Sequence, residues 1–110
     1  MAGYYHQEDL PRFGEIGKHA PELWEKFQAW DGAVFAEGAL SQREKALIAL
    51  GVAHAVQCPY CIDAYTQECL EKGSNLEQMT EAVHVSSAIR GGASLIHGLQ
   101  MRNVAEKLSM

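Results

Sequence analysis

Two cysteines three residues apart, Cys58 and Cys61, stand in the run Gln57-Cys58-Pro59-Tyr60-Cys61-Ile62-Asp63-Ala64-Tyr65. Pro59 gives that spacing its meaning. Proline suits the first turn of a helix, where its missing N–H would have had no partner. It sets Cys58 near an N-cap and Cys61 inside the first turn, and residues three apart share a face, so the sulfurs can meet. The free N–H groups and the dipole at that end favour a thiolate over a thiol. The chemistry predicted is that of a reactive dithiol. The alternative is half of a structural zinc site, which needs two further ligands.

A peroxide-reducing thiol must be ionised, because the thiolate attacks the O–O bond and becomes a sulfenic acid. A second thiol then condenses with it to a disulfide, and an external dithiol reopens that bond by exchange. A base must also move protons. The local candidates are His54, Tyr65, Glu68 and, further off, Glu44. His54 precedes Cys58 by four residues, across a turn enforced by Pro59, which disfavours helical geometry at Cys58. Its imidazole is expected within reach of the sulfurs. Tyr65 could donate to the Cys61 thiolate, but an ordinary phenol is a poor base near neutrality.

Three other readings exist. A metal site would draw on Cys58, Cys61, His54 and one of Cys69, His84 or His97, but no second C-x-x-C and no H-x-x-x-H is present. No metal and no cofactor is therefore expected. A non-redox enzyme would use its histidines on a small organic acid. An interaction protein would merely pack its cysteines, as Cys69 is read here to do.

The elements that must position these residues read as helices throughout, so the fold class is all-α, a single domain over 1–110. Residues 1–19 carry Pro11, Gly14 and Gly17 and are expected to form loop with a short helix. A helix opens at Pro21, carries Leu23, Trp24, Phe27 and Trp30 at helical spacing, and is expected to end at Asp31-Gly32. The tryptophans are read as core or interface anchors. Between Gly38 and Gln57 the pattern Ser41-Gln42-Arg43-Glu44 makes a capping box. The apolar residues from Ala46 to Val56 leave almost no polar face, which predicts a helix buried in the fold or an interface. Pro59 opens the next helix, to about Lys72, with Gly73 as its C′ residue and Cys61, Tyr65 and Glu68 on one face. Asn75 caps a further helix, with Gln78 completing a second capping box. Leu76, Met79, Val83 and Ile89 form its expected inward stripe, and Gly91-Gly92 is expected to break it from a last helix, Ala93 to Lys107.

Composition narrows the partners. The chain has 110 residues, 47% of them hydrophobic, and a net charge of −5. With a pI near 5.4 and no lysine- or arginine-rich run, neither nucleic acid nor a membrane surface is an expected partner. No signal peptide opens the sequence and no stretch would span a bilayer. Three cysteines are too few for a disulfide framework, so the expected location is cytoplasmic. So small a core would gain from association, and a homo-oligomer is expected.

The run from Arg43 to Gln57 into Cys58-Pro59-Tyr60-Cys61-Ile62-Asp63-Ala64-Tyr65 resembles the carboxymuconolactone decarboxylase family, in its AhpD-like alkylhydroperoxidase branch. Glu81–Val85 and Ile89–Gly98 fit the same picture. Met1–Tyr5 and Pro21–Trp24 add a likeness to the arsenosugar biosynthesis-associated peroxidase-like subgroup. The resemblance implies an all-α oligomer, often a trimer or hexamer, and a hydroperoxide substrate. It further implies that Cys61 is peroxidatic, that Cys58 resolves it, and that an external dithiol, thioredoxin-like or lipoyl, supplies the electrons. The AhpD pattern also places a glutamate twelve residues before the first cysteine and a histidine four after the second. Ala46 and Tyr65 occupy those positions.

Overall fold

A computed structural model describes residues 3–109. An N-terminal 3-10 segment, Gln7–Gly17, is followed by helices α1 (Pro21–Phe35), α2 (Gln42–Ala55), α3 (Pro59–Glu71) and α4 (Leu76–Leu108). No strand occurs among the described residues, so the fold is all-α as expected. Met1 and Ala2, which the subgroup likeness used, lie outside the described residues.

Local chemistry sets most of the helix starts. Ser41 caps α2 through the predicted box: its Oγ accepts the Glu44 N–H at 3.1 Å and Glu44 accepts the Ser41 N–H at 2.8 Å. Asn75 and Gln78 do the same for α4, at 2.8 and 3.0 Å. Each box satisfies two N–H groups that a helix start otherwise leaves without partners. The N-terminal segment has its own logic. A 3-10 helix stacks residues three apart, and Arg12 takes Asp9 on one side at 3.2 Å and Glu15 on the other at 2.9 Å.

Two helix ends differ from expectation, both at glycine. Helix α1 runs past Asp31-Gly32 to Phe35, and the Ala36 N–H bonds Gly32 O at 3.0 Å. Helix α4 runs unbroken through Gly91-Gly92, so the two C-terminal helices expected are one. Glycine costs a helix interior about 1 kcal/mol relative to alanine; it ends a helix only where the chain adopts positive φ. Among the described glycines only Gly73 does so, at φ 91°.

The core sits where α2, α3 and α4 meet: Ala46, Leu50, Cys69 and Met79 are buried, with Leu47 and Tyr65 packed against them. At Gly51 α2 lies close to α4: a Cβ there would stand 3.4 Å from Ala82 O, in van der Waals contact. The N-terminal segment packs on α1 through Phe13, Trp24 and Phe27, and Gly17 lies so close that a Cβ would come within 2.5 Å of Trp24 Cγ. Lys45 ties α1 to α2 by donating to Val34 O and Ala36 O at 2.8 and 2.6 Å.

Much of the apolar patterning remains open to solvent in the single chain. Helix α2 buries Ala46, Leu50 and Ala53, whereas Ile48, Val52 and Val56 are more than half exposed. The stripe expected to turn α4 inward does so only in part: Met79 is buried, but Leu76 and Ile89 are 77% and 70% exposed. Helix α4 meets α2 along one ridge and continues well beyond it. Trp24 packs against its aromatic neighbours, while Trp30 is exposed.

Candidate functional site

Helix α2 ends in a Schellman motif that delivers the chain to the cysteines. Gln57 adopts the left-handed conformation, φ 58°. Its N–H bonds His54 O at 3.2 Å, and the Cys58 N–H bonds Ala53 O at 3.0 Å. Arg90, reaching across from α4, donates to Ala55 O at 2.9 Å and so satisfies another carbonyl at the same helix end. Cys58 then takes extended geometry, φ −105° and ψ 100°, as a residue before proline should.

Cys58 is the N-cap of α3, and Pro59 is its first helical residue. The Cys61 N–H donates to Cys58 Sγ at 3.2 Å. The two sulfurs are joined as a disulfide, with Cα atoms 5.2 Å apart. The N-cap position and first-turn proline expected from the sequence are both present. A thiolate at Cys58 would keep that N–H together with the positive end of the α3 dipole.

Two phenols and two carboxylates flank this first turn. Tyr60, between the cysteines, donates to Asp9 Oδ2 of the N-terminal segment at 3.0 Å. Tyr5 donates in the opposite direction, to Asp63 Oδ2 on α3 at 2.5 Å. The two rings meet edge to face with centroids 4.7 Å apart. Asp63 holds the Tyr5 phenol up to about 12, chiefly because its carboxylate accepts the phenolic hydrogen bond. The same bond, with one from Gln67, keeps the Asp63 carboxyl below its ordinary range. Asp9 likewise raises the Tyr60 phenol.

The remaining candidates lie along α2 and α3, and among the described residues none of them hydrogen-bonds a cysteine sulfur. His54 is half-buried, and its Nδ1 lies 2.8 Å from Leu50 O. A carbonyl only accepts, so Nδ1 carries the proton, and a neutral ring leaves its lone pair on Nε2. His54 lines a cleft of about 440 Å³ with Val83, Ser86, Ser87, Arg90 and Gly91. Tyr65 stacks on Phe35 with centroids 5.3 Å apart, and burial raises its phenol, so it can donate a hydrogen bond but is a still weaker acid. Glu68 is partly exposed, with Lys72 at 3.8 Å. Glu44 is occupied by its capping box, which lowers its carboxyl through the Ser41 N–H and hydroxyl.

Cys69 is the small buried hydrophobe expected, its thiol pushed up by desolvation. His84 and His97 are exposed on α4. Among the described residues no three histidine, cysteine or acidic side chains cluster to hold a metal ion. No helix among the described residues is long and apolar enough to cross a membrane. Sequence reasoning missed Tyr5, Asp9, Tyr60, Asp63 and Arg90. Asp63 and Tyr60 lay inside the quoted motif, but their partners are 58 and 51 residues away and carry no local signal.

The comparisons with known proteins agree with this architecture. The model of the "Carboxymuconolactone decarboxylase family" matches residues 21–101. Protein 4 of the cox locus of Paracoccus denitrificans is 36% identical over 95 residues, which cover 86% of each chain. A crystal structure of a protein from Methanobacterium thermoautotrophicum superposes with a TM-score of 0.75 and 32% identity, over 78% of this chain and 97% of that one. That of a carboxymuconolactone decarboxylase family protein from Legionella pneumophila gives 0.70 and 28%, over 94% of both. The family match takes in α1 to α3 and most of α4, with Cys58 and Cys61 inside it, and the chain belongs to the carboxymuconolactone decarboxylase family.

Proposed function

We propose that the chain is a thiol-dependent peroxidase or disulfide reductase of the AhpD-like type, working through Cys58 and Cys61. The observation that carries this reading is the first turn of α3, where the two sulfurs form a disulfide and the Cys61 N–H points at Cys58 Sγ. The Cys61 thiolate attacks the O–O bond of a hydroperoxide ROOH. It gives Cys61–SOH and an alkoxide, which takes up a proton and leaves as ROH. Cys58 attacks that sulfur, water departs, and the disulfide closes. An external dithiol then attacks Cys61 Sγ, expels Cys58 as a thiolate, and completes the exchange as its own disulfide. The N–H at Cys58 Sγ fits both of that residue's tasks, as resolving nucleophile and as leaving group. The order of the cysteines follows the family resemblance.

His54 is the proposed proton acceptor, with Nε2 as its available nitrogen; Tyr65, Glu68 and Glu44 are the reserves. A homo-oligomer is proposed on the exposed apolar residues of α2 and α4. Ile48, Val52, Val85 and Ile89 line an apolar groove of about 400 Å³ between those helices. A surface so apolar suits burial against another copy.

A second reading, a non-redox enzyme acting on a small organic acid, is favoured by one observation. The His54 cleft combines an imidazole, a guanidinium and two serine hydroxyls without using either cysteine. Thiol titration separates the two. One equivalent of hydroperoxide should consume two thiols rapidly in the reduced parent. Cys61→Ser should consume no peroxide, and Cys58→Ser should stop at a sulfenic acid or mixed disulfide. His54→Ala should slow thiol oxidation by about 10²-fold, the scale of a positioned acid–base group. Thiols unchanged by peroxide would sink the redox reading. A sulfenic acid in Cys61→Ser with an inert Cys58→Ser would reverse the order.

A further inference from the structure

We propose that Asp9, on the N-terminal segment, and Tyr5, two residues before it, are positioning residues of the dithiol, which they hold toward the closed disulfide. The proposal rests on the redox reading above. Tyr60 lies within the ring that the Cys58–Cys61 bond closes, so the backbone that carries its phenol is constrained by that bond. The phenol meets Asp9 Oδ2 at 3.0 Å. Asp9 cannot freely follow a displaced Tyr60, because its Oδ1 is held by Arg12 at 3.2 Å. Arg12 is anchored in turn on Glu15 by two bonds, at 2.9 and 3.1 Å. On the other side Tyr5 bonds Asp63, whose second oxygen is held by Gln67 at 2.6 Å. The segment thus grips the first turn of α3 at two points, and the rings of Tyr5 and Tyr60 pack between them.

Opening the disulfide moves that turn. Reduction breaks the S–S bond, and the two thiols must separate to non-bonded contact. The Pro59-Tyr60 segment relaxes with them, and a grip matched to the closed ring is weakened. Linkage makes the effect reciprocal: a segment that docks better on the disulfide stabilises the disulfide by the same factor. A purely structural strap would stabilise both redox states equally and leave their ratio unchanged.

The test is the exchange equilibrium with glutathione, in which the protein disulfide and two glutathione thiols give the protein dithiol and one glutathione disulfide. The ratio is read by alkylation and mass measurement for the parent, Tyr60→Phe, Asp9→Asn and Tyr5→Phe. The constant for reduction should rise about threefold to tenfold in Tyr60→Phe and Asp9→Asn. This is an upward shift of about 14–30 mV at 29.6 mV per decade for two electrons. Tyr5→Phe should move it in the same direction by less. In the unaltered parent, amides of residues 3–17 should exchange more slowly when the pair is oxidised than when it is reduced. Constants equal to the parent's, a shift toward the disulfide, or equal protection in both redox states would overturn the proposal alone. A parent pair that never exchanges with glutathione would overturn the redox reading and this proposal with it.

Discussion

Two turns reverse the chain at the centre of the fold, one between α2 and α3 and one between α3 and α4. They close with the same pair of backbone bonds. At the end of α3 the Gly73 N–H meets Leu70 O at 3.1 Å and the Ser74 N–H meets Cys69 O at 2.9 Å. At the end of α2 the corresponding donors are Gln57 and Cys58. Each turn is also gripped by an arginine from another helix: Arg43 on Ser74 Oγ at 3.3 Å, Arg90 on Ala55 O at 2.9 Å. They differ in two respects. The left-handed residue is glycine in one and glutamine in the other. In the α3–α4 turn, Ser74 closes the Schellman motif and Asn75 caps the next helix, whereas Cys58 does both. The turn that leads into the cysteines is therefore shorter by a residue and strained at Gln57. It spends its connecting residue on a sulfur.

The difference can be probed from either side. The largest effect is expected at the relaxed turn. Gly73→Ala puts a Cβ where no other atom lies within 4 Å, so its cost is backbone strain of about 1–2 kcal/mol, partly offset by the lower entropy of the unfolded chain. A lower urea midpoint at unchanged slope would register it. The reverse change, Gln57→Gly, relieves that strain but adds chain entropy in the unfolded state, leaving a gain of about 0.5 kcal/mol. A midpoint that falls instead would show that the Gln57 side chain holds the turn, and the two ends would no longer be comparable.

The smallest effect belongs to a tether that only the cysteine turn possesses. The Tyr5 phenol is raised to about 12 in the folded protein from an ordinary value of 10.0. Between those values the folded state holds the proton more tightly, so the stabilisation is complete below pH 10 and is lost as pH rises toward 12. Asp63 works in the opposite sense. Its carboxyl is lowered by the same bond, so the contribution present above the ordinary carboxylate range is lost as pH falls through the folded value. In an ultraviolet titration Tyr5→Phe should lack one of the parent's late-titrating phenols. The parent's urea midpoint should fall more steeply than the variant's above pH 10.

What the sequence disclosed divides along the same line. Ser41 with Glu44, Asn75 with Gln78, and Cys58 before Pro59 are decisions made within four residues, and each helix start stands where those residues put it. Gly73 was legible as a C′ residue because Lys72 and Asn75 bracket it. Gly32 and Gly91-Gly92 carry the same letter without the conformation, since positive φ is imposed by how the flanking helices pack. Gln57 is the converse, a left-handed residue with no glycine to announce it. For the site, the cysteines were visible and their setting was not. Tyr5 finds Asp63, and Tyr60 finds Asp9, only after the N-terminal segment has folded back along α3.

Helix α4 has 33 residues, about 50 Å at 1.5 Å per residue, and its last half lies beyond the reach of α2. The radius of gyration, 18.9 Å, exceeds the roughly 13 Å of a compact chain of this length for that reason. An unpacked extension of some fifteen residues frays in water, because propagation alone gains little per residue and no tertiary packing adds to it. In the homo-oligomer proposed above, its order answers to mass action. In a dilution series, amides in 93–108 should lose protection while those around Leu50 and Cys69 keep it, and helical content should depend on protein concentration in this segment before any other.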